Sequence, residues 1–381
     1  MAPMSQSSPS DKPRAKKASA AALAAPALGS GRTDRLGRAH GGGAPHRGTG
    51  RIKLARWSKS GGLEEFEGGA ALSALAKAAE PAAHATCWID LTDPDPAMVS
   101  RVAKVLGLHP LIAEDVVEGN QRAKVEVTDG LVSVVMFVLE APDTAPSNGA
   151  AFVRAREVDL VLGDGFLLSS HPSSWDPRTG DHFRTGLEPI LQSGPDHVLW
   201  AIIDAIVDGY FPFADRLEDL IDSLQDDVVD RPTRQTLERL FGLKRDLIAV
   251  RRAVSPVREI LNQITNRELK LIDAEEVLYF RDIYDHVIRL ADELDTDREL
   301  VAASVEIYLS TINNNLSTIM KRLTGVTVIL AGIGAIAGIF GMSEAGAAFA
   351  GGEAGGFWLV TLAVVAIAVG AAAILRRIDW I

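Results

Sequence analysis

Counted back in steps of three and four from an uncharged run at Leu323–Met342, Ser317, Asn313, Ser310 and Glu306 fall on one helix stripe, which Thr324 and Thr327 carry into the run. A face of one carboxylate, one amide and several hydroxyls offers oxygen atoms without dense charge. That suits a hydrated divalent cation such as Mg2+, which gives up its water reluctantly and takes oxygen partners. The plainer reading is that each hydroxyl bonds the carbonyl one turn back; the length of the stripe favours the cation. Upstream, Asp215, Glu218, Asp219, Asp222, Asp226, Asp227 and Asp230 surround apolar Leu217, Leu220, Ile221 and Leu224. Such a face is either simply solvated or a surface whose field gathers cations.

The elements that position this stripe follow from length and hydropathy. Leu323–Met342 is twenty residues without a charge, and Phe357–Leu375 is nineteen. Each matches the roughly 20 residues that cross a ~30 Å hydrocarbon core. Lys321 and Arg322 precede the first run, and Arg376 and Arg377 follow the second. Basic pairs on one side place both termini and the large domain in the cytoplasm of an inner or plasma membrane protein. The loop between the runs carries Glu344 and Glu353 and no Lys or Arg, an anionic outer mouth. Two helices cannot enclose an aqueous path, so a pore needs several copies, each giving one helix to a ring. The first run suits that place, with Gly325, Gly332, Gly334, Gly338 and Gly341 for close backbone approach. No proline occurs from Glu275 to Met342, so the first run continues upstream as a stalk of roughly 100 Å if helical throughout.

Average composition hides this plan. The 381 residues carry 39 Lys+Arg and 50 Asp+Glu, a net charge of −11. Residues 1–60 hold 12 basic and 2 acidic residues, +10, which leaves −21 for the remainder. The first 50 or so residues are Ala, Gly, Ser, Pro and Arg, too poor in large apolar side chains to offset the entropy of ordering. They are expected to form a disordered, solvated basic tail, residues 1–54, with no nucleic-acid partner. Residues 55–195 mix strand and helix signals. Cys87–Leu91 reads as a short strand, Val99, Val102, Ala103 and Leu106 as a helix face, and Leu131–Leu139 as a buried strand. Val158–Leu162 and Phe166–Leu168 flank a Gly163-Asp164-Gly165 turn, the pattern of a hairpin. No G-x-G-x-x-G opens a helix after a strand and no G-x-x-x-x-G-K-[ST] occurs, which excludes a doubly wound nucleotide fold. Residues 196–322 are helical, 323–342 and 357–375 span, 343–356 loop between them, and 376–381 end the chain in the cytoplasm.

Other chemistry is weaker. One cysteine, Cys87, excludes a disulfide scaffold or a cysteine zinc cluster and reads as a buried small hydrophobe. His109 with Glu114 and Asp115 reads as a helix start, and His171 as a packed or exposed histidine. Ser169-Ser170-His171 lacks a nucleophile elbow and a positioned base. No enzyme constellation and no prosthetic group are expected.

The chain resembles the CorA-type divalent cation transporters, the two-span family that includes the ZntB zinc transporters. The resemblance rests on Tyr308-Leu309-Ser310, Ile319–Thr324, Ala337–Met342 and the ending Arg376–Ile381. Upstream, Trp88–Leu91, Leu106–Leu111, Glu114-Asp115, Gln121–Glu126, Asp204–Asp208 and Phe280–His286 match in order. It implies a funnel-shaped homopentamer: a mixed α/β cytoplasmic domain, a long stalk helix lining the pore, and two C-terminal spans. It also implies membrane lipid around the spans, and divalent cations as substrate and regulatory ligand, Mg2+, Co2+, Ni2+ or Zn2+. The selectivity motif falls on Gly341 and Met342, but Ser343 stands where asparagine is expected. Ser317 likewise replaces the lower pore asparagine, Ala331 a bulkier methionine and Gly332 a proline. Met320 and Leu323 match the hydrophobic constriction, Glu306 a pore-lining acid, and Asp282 a regulatory inter-subunit metal site. Gly346–Ala350 and Gly356–Val360 look closer to the ZntB branch. Besides a pore for hydrated ions, two readings therefore stand: a proton-coupled zinc transporter, and a degenerate cation sensor that does not transport.

Overall fold

The computed structural model describes residues 50–78, 85–141, 152–266, 269–341, 353–377 and 380. Seven strands form one mixed sheet: β1 Arg51–Ser58, β2 Gly62–Glu67, β3 Ala85–Thr92, β4 Lys124–Thr128, β5 Leu131–Glu140, β6 Arg154–Gly163 and β7 Phe166–His171. Their order across the sheet is β2-β1-β3-β7-β6-β5-β4. Only β3 and β7 pair in parallel; every other neighbour is antiparallel. This is a mixed sheet and not a doubly wound one, as expected. β1 starts at Arg51, so residues 51–54 are strand and the sequence boundary of the tail was set too late. Their signal, Ile52 and Leu54 on one face, is too short to read until β3 supplies the partner, pairing Ile52 with Leu91 and Leu54 with Ile89.

Both faces of the sheet are covered, which is why its central strands are almost continuously apolar. Ile52, Leu54, Ile89, Leu91, Val161 and Leu168 point to one face, beneath α1 Gly69–Ala78, α2 Pro96–Leu106 and α3 Pro110–Glu118. Trp88, Val134, Met136, Leu160, Leu162 and Leu167 point to the other and join the core of the long helices. The β6–β7 turn is Asp164-Gly165, with Gly165 at φ +74. At Gly163 a Cβ would lie 2.2 Å from the Phe166 ring, so a side chain there needs that ring to move. α2 begins where Asp95 Oδ1 accepts from the Met98 amide at 2.7 Å, with Pro96 as its first residue. α3 begins where His109 Nδ1 accepts from the Leu111 amide at 3.2 Å, so His109 is a helix cap.

The helical half comprises α4 Leu187–Ser193, α5 Pro195–Asp208, α6 Phe211–Asp230, α7 Arg234–Asn266, α8 Glu276–Gly341 and α9 Glu353–Arg377. α8 runs 66 residues, about 100 Å at 1.5 Å per residue. Among the described residues two helical segments are long and apolar enough to cross a membrane, Pro195–Asp230 and Glu276–Ile339, but they differ in surroundings. The most apolar window of the first is 56% buried within the chain, that of the second 6%. The first is a core helix pair; the second contains the uncharged run that begins at Leu323. α9 carries the other uncharged run and touches α8.

Candidate ion pathway

α8 is held at its base and bare at its top. Phe280, Ile283, Val287, Leu290, Leu294 and Val301 are buried against the other helices. Tyr308 is the last fully buried anchor of this stretch, its hydroxyl donating to the Thr233 carbonyl at 3.2 Å, and Ile312 one turn on still packs against the core. Glu306, two residues before Tyr308, and Ser310, Asn313, Ser317, Met320, Leu323, Thr324, Thr327 and Ala331 beyond it are all exposed. At 3.6 residues per turn, all but Leu323 fall within an arc of about 100°, and Leu323 sits about 40° beyond its edge. Their spacing alternates four and three, a period of 3.5, the repeat that keeps one face turned toward a partner when helices supercoil left-handedly.

The hydroxyls are not all alike. Thr327 Oγ1 donates to the Leu323 carbonyl at 2.8 Å, the back-bonding that competes with a ligand role, and Thr311 and Thr318 off the stripe do the same. Ser310, Ser317 and Thr324 make no side-chain hydrogen bond among the described residues. Gly341 ends α8. Met342, Ser343, Glu344 and most of the loop compared with ZntB lie outside the described residues; Glu353 opens α9. Asp282 is exposed near the base of α8, away from the stripe.

The bare part of α8 also displays large apolar side chains on every side. Leu316, Ile319, Val326, Val328 and Leu330 are each about half exposed, and Leu362, Val365, Ile367 and Val369 of α9 are no better covered. At ~1.5–3 kcal/mol for burying each such side chain, this surface is not one that water keeps. A Cβ added at Gly332, Gly334 or Gly338 would meet nothing within 4 Å, so no neighbour in this chain requires those glycines.

Buried polar groups elsewhere escaped the sequence reading. On the sheet, Trp88 Nε1 donates to Ser169 Oγ at 2.9 Å, Ser169 Oγ donates to Asp90 Oδ1 at 2.7 Å, and His171 Nε2 lies 3.0 Å from the same oxygen. This chain clasps β3 to β7. Burial opposes the imidazolium, but Asp90 outweighs it and His171 titrates above the ordinary histidine range. Ser169 gives its proton to Asp90 and not to His171, and all four groups are buried, so no nucleophile is formed here. Cys87 is buried as expected, and burial pushes its thiol up to about 11. His197 Nδ1 lies 2.9 Å from Glu276 Oε2, tying α5 to the start of α8. Asp159 of β6 is buried and its carboxyl is raised well above its usual range, first by burial and then by Glu157. The signal for Asp159 was present: an acid in an otherwise apolar strand.

A sheet domain, a stalk of this length and bare apolar helices at its far end are the build of a two-span integral membrane protein. The family described as CorA-like Mg2+ transporter protein matches residues 83–377, and the chain belongs to that family. It is therefore a divalent cation transporter, in a family of transporters and not of enzymes. The cobalt/magnesium transport protein CorA of Thermotoga maritima is 33% identical over 261 residues, covering 67% of this chain and 72% of that one. A putative metal ion transporter of Bacillus subtilis is 27% identical over 257 residues, 67% of this chain and 78% of that one. In fold the chain matches the complete CorA magnesium transporter of Methanocaldococcus jannaschii, with a TM-score of 0.70, 21% identity and coverage of 87% and 98%. The full-length CmaX protein matches with a TM-score of 0.64, 16% identity and the same coverage.

Proposed function

We propose that five copies of this chain surround a pore through which a hydrated divalent cation passes, with both termini in the cytoplasm. The carrying observation is the bare half of α8: an oxygen-bearing stripe at a 3.5-residue period on the helix whose glycines lack neighbours within the chain. A ring of such helices turns the stripe inward, fills the space above the glycines with a neighbouring backbone, and leaves α9 to the lipid. The count of five comes from the family resemblance. Glu306 stands at the wide end, Ser310, Asn313 and Ser317 hold the ion's water, Met320 and Leu323 narrow the path, and Thr324, Thr327 and Ala331 line its upper part. Gly341, Met342 and Ser343 form the outer selectivity ring, with Glu344 and Glu353 attracting cations to the mouth. Serine in place of asparagine at 343 and 317 keeps an oxygen for a water ligand but removes the amide dipole. The outer ring is accordingly less selective for Mg2+ than an asparagine ring. Asp282 contributes to a regulatory cation site between subunits.

Uptake of Mg2+, Co2+, Ni2+ and Zn2+ into liposomes holding the purified protein, with and without a pH gradient, tests this reading. Uptake no faster than into empty vesicles sinks it, and leaves the non-transporting sensor. Zinc uptake that needs the pH gradient favours the ZntB-like mechanism instead; no feature of the described residues favours it over a simple pore.

A further inference from the structure

Glu157 and Asp159 stand two residues apart on β6, on the same side as Val161, the face that α1, α2 and α3 cover. In a strand such neighbours point the same way, with Cα atoms about 6.6 Å apart. Asp159 is 5% exposed and Glu157 half-buried. Glu157 Oε1 and Asp159 Oδ1 are sealed from solvent and meet no hydrogen-bond donor among the described residues, yet the two carboxyls lie within hydrogen-bond reach of each other. In register with Asp159 stand Val135 of β5 and Ser170 of β7, and Phe137 of β5 lies opposite Glu157; none of them carries charge. One strand further, β4 sets Lys124 opposite Val135. Its ammonium bonds Asp115 Oδ2 of α3 at 3.1 Å and Glu126 Oε2 at 3.0 Å, and neither β6 acid. Gln121 joins the parts: its backbone N–H donates to Glu157 Oε2 at 2.9 Å and its side-chain amide to Asp115 Oδ1 at 3.0 Å. Burial, ahead of every other cause, raises both β6 carboxyls above the carboxylate range, Asp159 the further.

We propose that Glu157 and Asp159 hold one proton between them, and that this pair is a catch on the loop from α3 to β4, closed while the proton is bound and loosened when it leaves. Two ionised carboxylates have no donor to offer each other; a single proton makes one the donor and satisfies both orphaned oxygens. Glu157 Oε2 then stays in place to accept from the Gln121 N–H. When the proton passes to solvent, two adjacent buried charges repel. The half-buried Glu157 is the one that can turn outward, and in doing so it gives up the Gln121 bond. Opening returns both acids to their ordinary value of about 4. Closing therefore takes up a proton between that value and the raised folded one, and the catch weakens as pH rises through that window. The pair lies in the sheet domain and stands whether or not the stripe of α8 conducts.

Hydrogen exchange of the Gln121 amide and its neighbours in the α3–β4 loop tests the catch, on the full-length protein in detergent and corrected for the intrinsic pH dependence of exchange. Protection there falls about tenfold per pH unit across the window. Asp159→Asn supplies a permanent donor of the same shape, so protection stays high and the slope disappears; Glu157→Gln does the same from the other side. Infrared difference spectra at about pH 6, where ordinary carboxyls are ionised, show a protonated carboxyl that the native protein has and Asp159→Asn lacks. A slope unchanged in both variants, or the same carboxyl signal in native protein and Asp159→Asn, overturns the proposal. A slope that only Asp115→Asn removes also overturns it and assigns the titration to the ion pair with Lys124.

Discussion

The two halves of α8 have the same secondary structure and opposite surroundings. From Phe280 to Val301 the helix turns Leu, Ile and Val into a protein core; from Leu309 to Ile339 equally apolar residues lie bare. Helix propensity does not distinguish them. In the lower half the chain itself supplies the covering surface, whereas the upper half is left to the membrane and, in the proposed pore, to other copies. One helix therefore carries mechanical connection at its base and the candidate pathway at its top.

The comparison breaks if truncations in the two halves cost the same. Phe280→Ala, in the packed half, is expected to destabilise the sheet and helix domain by ~3–5 kcal/mol, read as a lower melting temperature. Gly332→Leu is expected to leave that melting temperature unchanged and to weaken subunit assembly by ~1–3 kcal/mol through overpacking, read by cross-linking and by loss of flux. The same change with assembly and flux intact would falsify the inward placement of that face.

His171 sharpens the comparison from the sheet side. Its folded-state pKa is raised, so the stabilisation from the Asp90 contact is fully present below the ordinary histidine pKa of about 6.5 and is lost as pH rises through the folded value. Asp297 works in the same direction at lower pH: folding takes up its proton, and that contribution fades as pH rises through about 6. Denaturant titrations between mild acid and mild alkali are expected to show stability falling with pH, and His171→Phe to flatten the upper part of that slope. The smallest effect belongs to Leu330→Ala, less than about 0.5 kcal/mol on the domain, because its side chain touches no core.

The uncharged runs, the length of α8, the β6–β7 hairpin and the cap at His109 were legible because each depends on neighbours in sequence. That Glu306, Ser310, Asn313, Ser317, Thr324 and Thr327 share one helix face was legible for the same reason: a helix repeats every 3.6 residues wherever it stands. Residues 51–54 were missed because a four-residue strand start means nothing without β3 beside it. The Trp88–Ser169–Asp90–His171 chain joins positions about eighty residues apart and has no local pattern. Asp297 left a faint mark, an acid on an apolar stripe, but sequence alone cannot tell an edge position from one sealed by α6.

What the sequence determined by itself was therefore periodic and local: which segments are helix or strand, where charge ends and a membrane-length run begins, and which face of α8 carries oxygen. The tertiary structure decided burial and pairing: that Pro195–Asp230 is a core element although its hydropathy rivals that of a span, that Ser169 serves Asp90, and that Asp297 is buried. The physical reason is that hydropathy and periodicity are properties of a segment, while burial is a property of what packs against it.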